Sequence, residues 1–283
     1  MPQISVLMPV YKPHPDYLRA AIESILAQDF TDFEYLILND CPTDKASEEI
    51  ILSYQDKRII YDVSVKNQGI SGARNQLLDK AQGDYIAIMD HDDISLPNRF
   101  SRQVDFLQSH PEIGIVGSYA QDIVSGKHIF YPVQHDDIQK NLFVKCCILH
   151  PTAMIRRNLF VDYKIRYREI YTPAEDYALW VDMLGKTQFH NIPEVLFHYR
   201  QHSENTSHTK AVQMRKTTFG VQQLAKTQSA DLWNNLQADM MHIQRIYCFG
   251  LLICTIKQDF AKKSYFLFGK IPFLTIKSKS VIV

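Results

Sequence analysis

No run of apolar residues in this 283-residue sequence reaches the ~18 that a membrane-spanning helix needs. The longest, residues 246–256, stops at eleven. The five cysteines (41, 146, 147, 248 and 254) form no CxxC pair and no metal-ligand spacing, which excludes a disulfide framework and a zinc ribbon. They read as free thiols in a reducing compartment. Ten Gly and 12 Pro build no biased tract, so collagen-like and low-complexity classes are excluded. The first residues lack a basic region followed by an apolar run and a small-residue cleavage site, and a cytoplasmic protein is expected. Charge of one sign is also missing: Lys+Arg and Asp+Glu both number 31, so bulk charge gives no reason to expect a nucleic-acid partner.

That neutrality conceals an asymmetry. Residues 1–150 hold 13 basic and 21 acidic side chains, residues 151–256 hold 12 and 9, and residues 257–283 hold 6 and 1. The front is acidic and the tail basic. The tail's lysines fit a solvated face, or a peripheral contact in which Phe266, Leu267, Phe268, Ile271, Phe273 and Leu274 dip into an anionic membrane.

Strand and helix signals alternate over the first 120 residues. Apolar runs predict strands over 4–9, 35–38, 58–63, 85–89 and 113–118, with helices over 16–28, 45–54, 71–81 and 97–109 between them. This alternation predicts an α/β fold with a mostly parallel central sheet flanked by helices. Ligands of such sheets sit beyond the carboxyl ends of the strands. Here those ends carry Pro9-Val10-Tyr11, Asn39-Asp40, 65–69 and Asp90-His91-Asp92-Asp93, so polar residues collect on one rim. Residues 119–200 show short strand signals (128–133, 152–156, 187–192, 195–199) around one helix over 174–184, with no linker. Helices are predicted over 209–227 and from 230 to about 247.

Four motifs carry candidate chemistry. Three carboxylates within Asp90-His91-Asp92-Asp93 repel one another, and a divalent cation shared with substrate phosphates relieves the conflict. An acidic turn feeding a helix N-terminus explains the same residues. An EF-hand does not, since the loop lacks its glycine and closing glutamate. Asp40 sits where dinucleotide folds place a ribose-reading acid, although an Asx turn before Pro42 also suits it. The stretch from Asn67 through Gly69, Gly72 and Arg74 to Asn75 is neither GxGxxG nor a P-loop, and fits a nucleotide support or a plain helix cap. Glu175-Asp176 opens a helix, as first-turn acid or as a general base. His150 and the Tyr199-Arg200-Gln201-His202 run are weaker signals, and a lone histidine is more often structural.

Their order says more than any one of them. ISVLMPVYKP at the start, Ser24-Ile25-Leu26-Ala27-Gln28, Glu34 through Asp40, Asn67-Gln68-Gly69 with Ala73-Arg74-Asn75, and Gly83 through Asp93 together resemble the family 2 glycosyltransferases. The likeness continues through His150-Pro151-Thr152, Glu175-Asp176-Tyr177 and Tyr199-Arg200, covering about 1–205. The resemblance implies a GT-A fold, a nucleotide-diphosphate sugar donor (UDP-linked), a Mn²⁺ or Mg²⁺ ion, and inversion at the anomeric carbon. It implies that Asp40 reads the base, that Pro9, Val10, Tyr11, Asn67, Arg74 and His91 line the donor, and that Asp92 holds the metal with Asp90 nearer the ribose. It makes Asp176 the catalytic base, with Glu175, His150, Arg200 and His202 as candidate acceptor or pyrophosphate contacts. Two departures stand out. Asn39-Asp40-Cys41-Pro42 replaces the usual Asp-Asp-Gly-Ser, and the Gln-x-x-Arg-Trp motif of processive synthases is missing.

The expected organisation is a GT-A domain over 1–205, with a nucleotide half (1–118) and an acceptor half (119–205), and a helical C-terminal extension over 206–283. The expected acceptor is a saccharide or lipid-linked saccharide of cell-surface polysaccharide or lipopolysaccharide synthesis. A sugar-1-phosphate nucleotidyltransferase would need a glycine-rich loop after the first strand, where Pro-Val-Tyr-Lys-Pro stands. A non-catalytic nucleotide-sugar binder would not need Asp90, Asp92 and Asp176 together.

Overall fold

β1 (Ile4–Val10) is buried at all seven positions, as expected of a central strand covered on both faces. The computed structural model describes residues 1–201, 210–240, 243–248, 251–258, 262–267 and 271–277, with side chains described through 236. β1 lies between β2 (Phe33–Asn39) and β4 (Tyr85–Ile88), and β3 (Ile59–Val63) pairs outside β2, all parallel. α1 (Pro15–Leu26), α2 (Lys45–Leu52) and α3 (Gly69–Lys80) make the crossovers. α1 buries Leu18, Ala21, Ile22 and Ile25, the spacing of one helical face.

Beyond β4 the expected parallel pattern ends, and the sheet is mixed. β8 (Met154–Arg156) runs antiparallel to both β4 and β6 (Ile113–Asp122), while β6 pairs parallel with β9 (Gln188–Tyr199). β5 (Ile94–Ser95) closes the far edge against β9, giving the order β3-β2-β1-β4-β8-β6-β9-β5, with β7 (His128–Ile129) on β6. The strand signals over 187–192 and 195–199 are one strand. Pro193 has no N–H to give the ladder, so the register jumps from Ser118↔Ile192 to Tyr119↔Val195.

β5 was not expected, and it positions the site. Its pairing of Ile94 with His198 sets the acids that precede it beside Tyr199 and Arg200. Also present are α4 (Arg99–Ser109), α5 (His135–Asn141), a 3₁₀ turn at His150–Thr152, α6 (Asn158–Asp162), a second 3₁₀ turn at Glu169–Tyr171 and α7 (Glu175–Asp182).

The chain forms two compact units, Met1–Ala225 and Lys226–Val283. α8 (Ala211–Gln228) runs out of the first, and α9 (Ala230–Met240) belongs to the second. The helical reading of the C-terminal extension holds for these two helices and needs correcting past them. The second ends at Met240 instead of near 247, and β10 (Ile243–Cys248), β11 (Leu251–Gln258), β12 (Lys262–Leu267) and β13 (Ile271–Lys277) form an antiparallel meander. Ile, Tyr, Phe and Thr dominate 246–256, and β-branched and aromatic residues favour strands.

The Ser5 hydroxyl donates to Glu34 Oε1 (2.6 Å) and accepts from the N–H groups of Gln82 (3.1 Å) and Gly83 (2.8 Å). This ties the turn before β4 to β1 so closely that a Cβ on Gly83 would stand 2.6 Å from Ser5 N and 2.7 Å from Ile4 C. Gly83→Ala should therefore cost about 1–3 kcal/mol of stability. Urea unfolding checks it, and an unchanged midpoint would contradict the close approach.

Candidate active site

The carboxyl ends of β1, β2 and β4 share one rim. Pro9 and Val10 are buried, Tyr11 is half exposed, and Lys12 turns the chain with φ 46°. Asp40 follows β2 and is 3% exposed. Its N–H donates to Val10 O (2.8 Å), and its carboxylate accepts the Gln68 N–H at 2.9 and 3.1 Å. Asn67 Nδ2 donates to Asp40 O (3.2 Å). The acid at the end of β2 thus anchors the residue before α3, a job that the α3 sequence leaves open because Gln68 offers no side-chain cap.

The acids after β4 divide into different environments. Asp93 is buried at 1% exposure, and its Oδ1 accepts the Arg200 N–H at 2.7 Å. Burial first, then the charges of Asp92 and Asp90, push its carboxyl well above the usual range. Asp90 and Asp92 stay partly open. Arg200 Nε donates to Asp92 O (2.8 Å), and its guanidinium lies 4.1 Å from the Tyr17 ring centroid. His91 is partly buried, and its Nδ1 has no hydrogen-bond partner. Below them, fully buried Arg99 donates to Ile88 O (3.0 Å) and Ala153 O (3.2 Å), fixing the end of β4. Burial pulls its pKa down to about 9 against the pull of Asp93, so it remains a cation at neutral pH.

Arg74, in the first half of α3, joins two segments that are far apart in sequence. Nη2 donates to Asp90 Oδ1 at 3.1 Å and Nη1 to Glu175 Oε1 at 2.9 Å. Arg74 and Glu175 are both buried. Burial opposes its charge, but Asp90 and Glu175 more than offset that, and its pKa rises. Its guanidinium lies 5.5 Å from the Tyr167 ring centroid. Asn75 holds Tyr167 by two bonds, Nδ2 to Tyr167 O (2.8 Å) and Tyr167 N–H to Oδ1 (2.9 Å).

Asp176 is next to Glu175 but keeps part of its surface open. Its Oδ1 accepts the Tyr177 N–H at 2.6 Å. Protein around the carboxyl is the main cause of a pKa pushed up to about 7, with Glu175 and Asp90 adding to the rise and the Tyr177 N–H and Arg74 resisting it. Neighbouring carboxyls in unlike environments, one ion-paired and one poised near neutrality, are a familiar basis for acid–base chemistry. The negative charge of Asp176 also helps raise Tyr131 and Cys146, both chiefly shifted by burial.

Residues 5–164 match the profile described as Glycosyl transferase family 2. The chain belongs to this family. It is 34% identical over 207 residues to an uncharacterized glycosyltransferase of Methanocaldococcus jannaschii, covering 70% of this chain and 71% of that one. An uncharacterized glycosyltransferase of Haemophilus influenzae is 30% identical over 219 residues, covering 73% and 68%. Among solved structures, S. aureus TarS 1-349 in complex with UDP-GlcNAc matches with a TM-score of 0.62 at 20% identity, over 72% of this chain and 60% of that chain. The mannosyltransferase PcManGT from Pyrobaculum calidifontis, in complex with GDP-Man and Mn²⁺, matches with a TM-score of 0.56 at 14% identity, over 84% and 79%. The fold is that of GT-A glycosyltransferases, and the protein is a transferase.

In this glycosyltransferase Arg74 bonds Asp90 and Glu175, Arg200 bonds Asp92 O and Asp93, and Asn67 bonds Asp40 O beside Val10, while Asp176 follows Glu175 on α7. His150 is placed differently. It is 4% exposed, with Nε2 2.8 Å from Tyr167 Oη and its ring 5.7 Å from Trp180, so it supports Tyr167 from behind. Burial, with Arg74, holds it well below its ordinary pKa, hence neutral. His202 lies outside the described residues. Sequence reasoning missed Tyr167, which carries no local signal. It also missed Arg99, whose signal was a cation in the first turn of a helix, where the dipole disfavours it.

An unfolded aspartate loses its proton near pH 4, whereas Asp176 in the fold holds its own until about 7. Folding takes up a proton between these values, so this group's contribution to stability falls as pH rises through the window. Asp176→Asn removes that dependence. Its stability relative to wild type should rise from about pH 5 to about pH 8, read as a growing Tm difference. A difference flat across the range would mean that the carboxyl ionises normally.

Proposed function

We propose that this enzyme is a metal-dependent, inverting, non-processive glycosyltransferase that moves one sugar from a UDP-sugar to a saccharide or lipid-linked saccharide acceptor of cell-surface polysaccharide or lipopolysaccharide synthesis. The observation that carries this reading is the Arg74 bridge, which brings Asp90 of the acidic turn and Glu175-Asp176 of α7 to one rim. A donor gripped at the turn is then within reach of the base at the helix.

Among the described residues no three His, Cys, Asp or Glu side chains form a complete metal cage. Mg²⁺ and Mn²⁺ do not need one, since they are held by one or two carboxylates with substrate phosphates and water completing the shell. Asp92 and Asp90 fit that role. They are partly open, offer only oxygen, and their charge adds to the rise that burial gives Asp93. A cation there would neutralise the diphosphate leaving group as charge builds on it. Support also comes from PcManGT, a protein of this fold whose complex holds GDP-Man and Mn²⁺.

The chain's own residues supply the remainder. Asp40 and Asn67, with the backbone of Pro9, Val10 and Tyr11, line the nucleoside, and His91 and Arg200 flank the phosphates. Asp176 takes the proton from an acceptor hydroxyl as that oxygen attacks the anomeric carbon; a base that titrates near 7 suits the task. Glu175 is buried against Arg74 and is not free to serve as a nucleophile. One base and one displacement give inversion, whereas retention would use a second carboxylate. The missing Gln-x-x-Arg-Trp supports one sugar per encounter. No helix among the described residues is long and apolar enough to cross a membrane. The basic segment 257–283, whose side chains lie outside the described residues, is proposed to contact the inner face of the cell membrane.

Asp92→Ala should abolish Mn²⁺-dependent UDP binding, while Asp176→Asn should leave it intact and lower turnover by ~10²–10⁴. Titration with UDP and Mn²⁺, and hydrolysis of UDP-Glc, UDP-Gal, UDP-GlcNAc and UDP-GalNAc, provide the measurements. Equal UDP affinity for wild type and Asp92→Ala would refute the metal role, and full turnover in Asp176→Asn would refute the base.

A further inference from the structure

α8 presents two unlike faces. Val221 and Ala225 are fully buried, Gln213 Nε2 donates to Thr172 O (3.0 Å), and Gln222 Nε2 donates to Val144 O (2.6 Å), so the inner face is docked on the segments before α7 and after α5. The outer face carries Val212, Arg215, Lys216, Phe219 and Gln223, all exposed and spaced as one helical stripe. Val212 is 70% and Phe219 61% exposed, and the segments under the helix add Ile170 at 80% and Val144 at 42%. Residues 209–228 contain no Asp or Glu. Nothing in the donor site accounts for this combination.

We propose that the outward face of α8, with Val144 and Ile170 on the segments it docks against, rests on an anionic lipid bilayer. Apolar side chains interleaved with cations suit an interface in which Val212 and Phe219 enter the acyl boundary while Arg215 and Lys216 meet acidic headgroups. Lys145 and Lys210 are exposed and add to the attraction; Glu169, exposed on the 3₁₀ turn, opposes one of these charges. A second copy of the chain fits less well, because a two-fold contact would set the cationic stripe of one copy against that of the other. The position of the face matters for function. Thr172, bonded to Gln213 and through its hydroxyl to Ser71 (3.0 Å), is four residues before Asp176. A lipid-linked acceptor would thus meet the enzyme on the side of the segment that leads into the base. That last step rests on the function proposed above; the surface itself does not.

The test is co-sedimentation of the full chain with phosphatidylcholine vesicles, with and without phosphatidylglycerol. Wild type should bind only the anionic vesicles. Val212→Ser with Phe219→Ser, and Arg215→Glu with Lys216→Glu, should each weaken that binding about tenfold or more, while unchanged circular dichroism shows that they fold. Hydrolysis of the UDP-sugar in solution should be the same in all three proteins; its absence from wild type would count against the function and leave the vesicle result readable. Undiminished binding by both variants would assign the contact to residues 257–283 and overturn the proposal. It would also be overturned by wild type that ignores anionic vesicles, by equal binding to neutral ones, or by a dimer that the variants dissociate.

Discussion

The Arg74 guanidinium is the constraint on which the rest of the site depends. It is buried between Asp90 and Glu175, and its charge is worth keeping there only because both carboxylates face it. Removal of the cation would leave two acids, one of them buried, with a third nearby and nothing to balance them, a loss of about 3–5 kcal/mol for a broken buried pair. The bridge sets the spacing between the β4 rim and α7. It also separates neighbouring acids, since it pairs Glu175 and leaves Asp176 to feel both burial and its neighbour's charge. Arg74 thus fixes the distance and moderates the pKa that burial raises.

Around that ion several buried or half-buried polar side chains bond backbone atoms. Arg99 donates to Ile88 O and Ala153 O, Asn75 grips both backbone groups of Tyr167, Asp40 takes the Gln68 N–H, and Asp93 takes the Arg200 N–H. Each bond pins a chain segment that carries a site residue, so a side chain fixed by one element positions another. Such bonds cost little when complete and a great deal when half made. This is why loops with little regular structure can hold a rim steady.

The parallel half of this arrangement was legible in the sequence because its strands are buried on both faces and separated by amphipathic helices. Those signals are local, and so are the turns that end the strands in Asp40 and Asp90. What joined α3 to α7 was not legible. Arg74 and Glu175 are 101 positions apart, and no local pattern reports a pair that only the folded sheet brings together. β5 is two residues long, too short for periodicity, although it seats Arg200 beside Asp93. His150 gave an ambiguous signal because a histidine that supports an aromatic ring and one that binds a substrate look alike until burial is known. In the C-terminal segment apolar composition misled, since a run of Ile, Tyr, Phe and Thr suits a strand as well as a helix.

Charge arrangement connects these features to the proposed chemistry. The first 150 residues carry eight more acidic than basic side chains, part of that excess lies in Asp90, Asp92 and Asp93, and α7 adds Glu175 and Asp176 to the rim. An anionic diphosphate would be repelled by such a rim, and the cation of the proposed mechanism would offset that repulsion. The same field would hold phospholipid headgroups away from the site. On the proposals above, an acidic rim and a basic outer stripe on α8 would divide the work, the stripe attracting a negative surface and the rim repelling it.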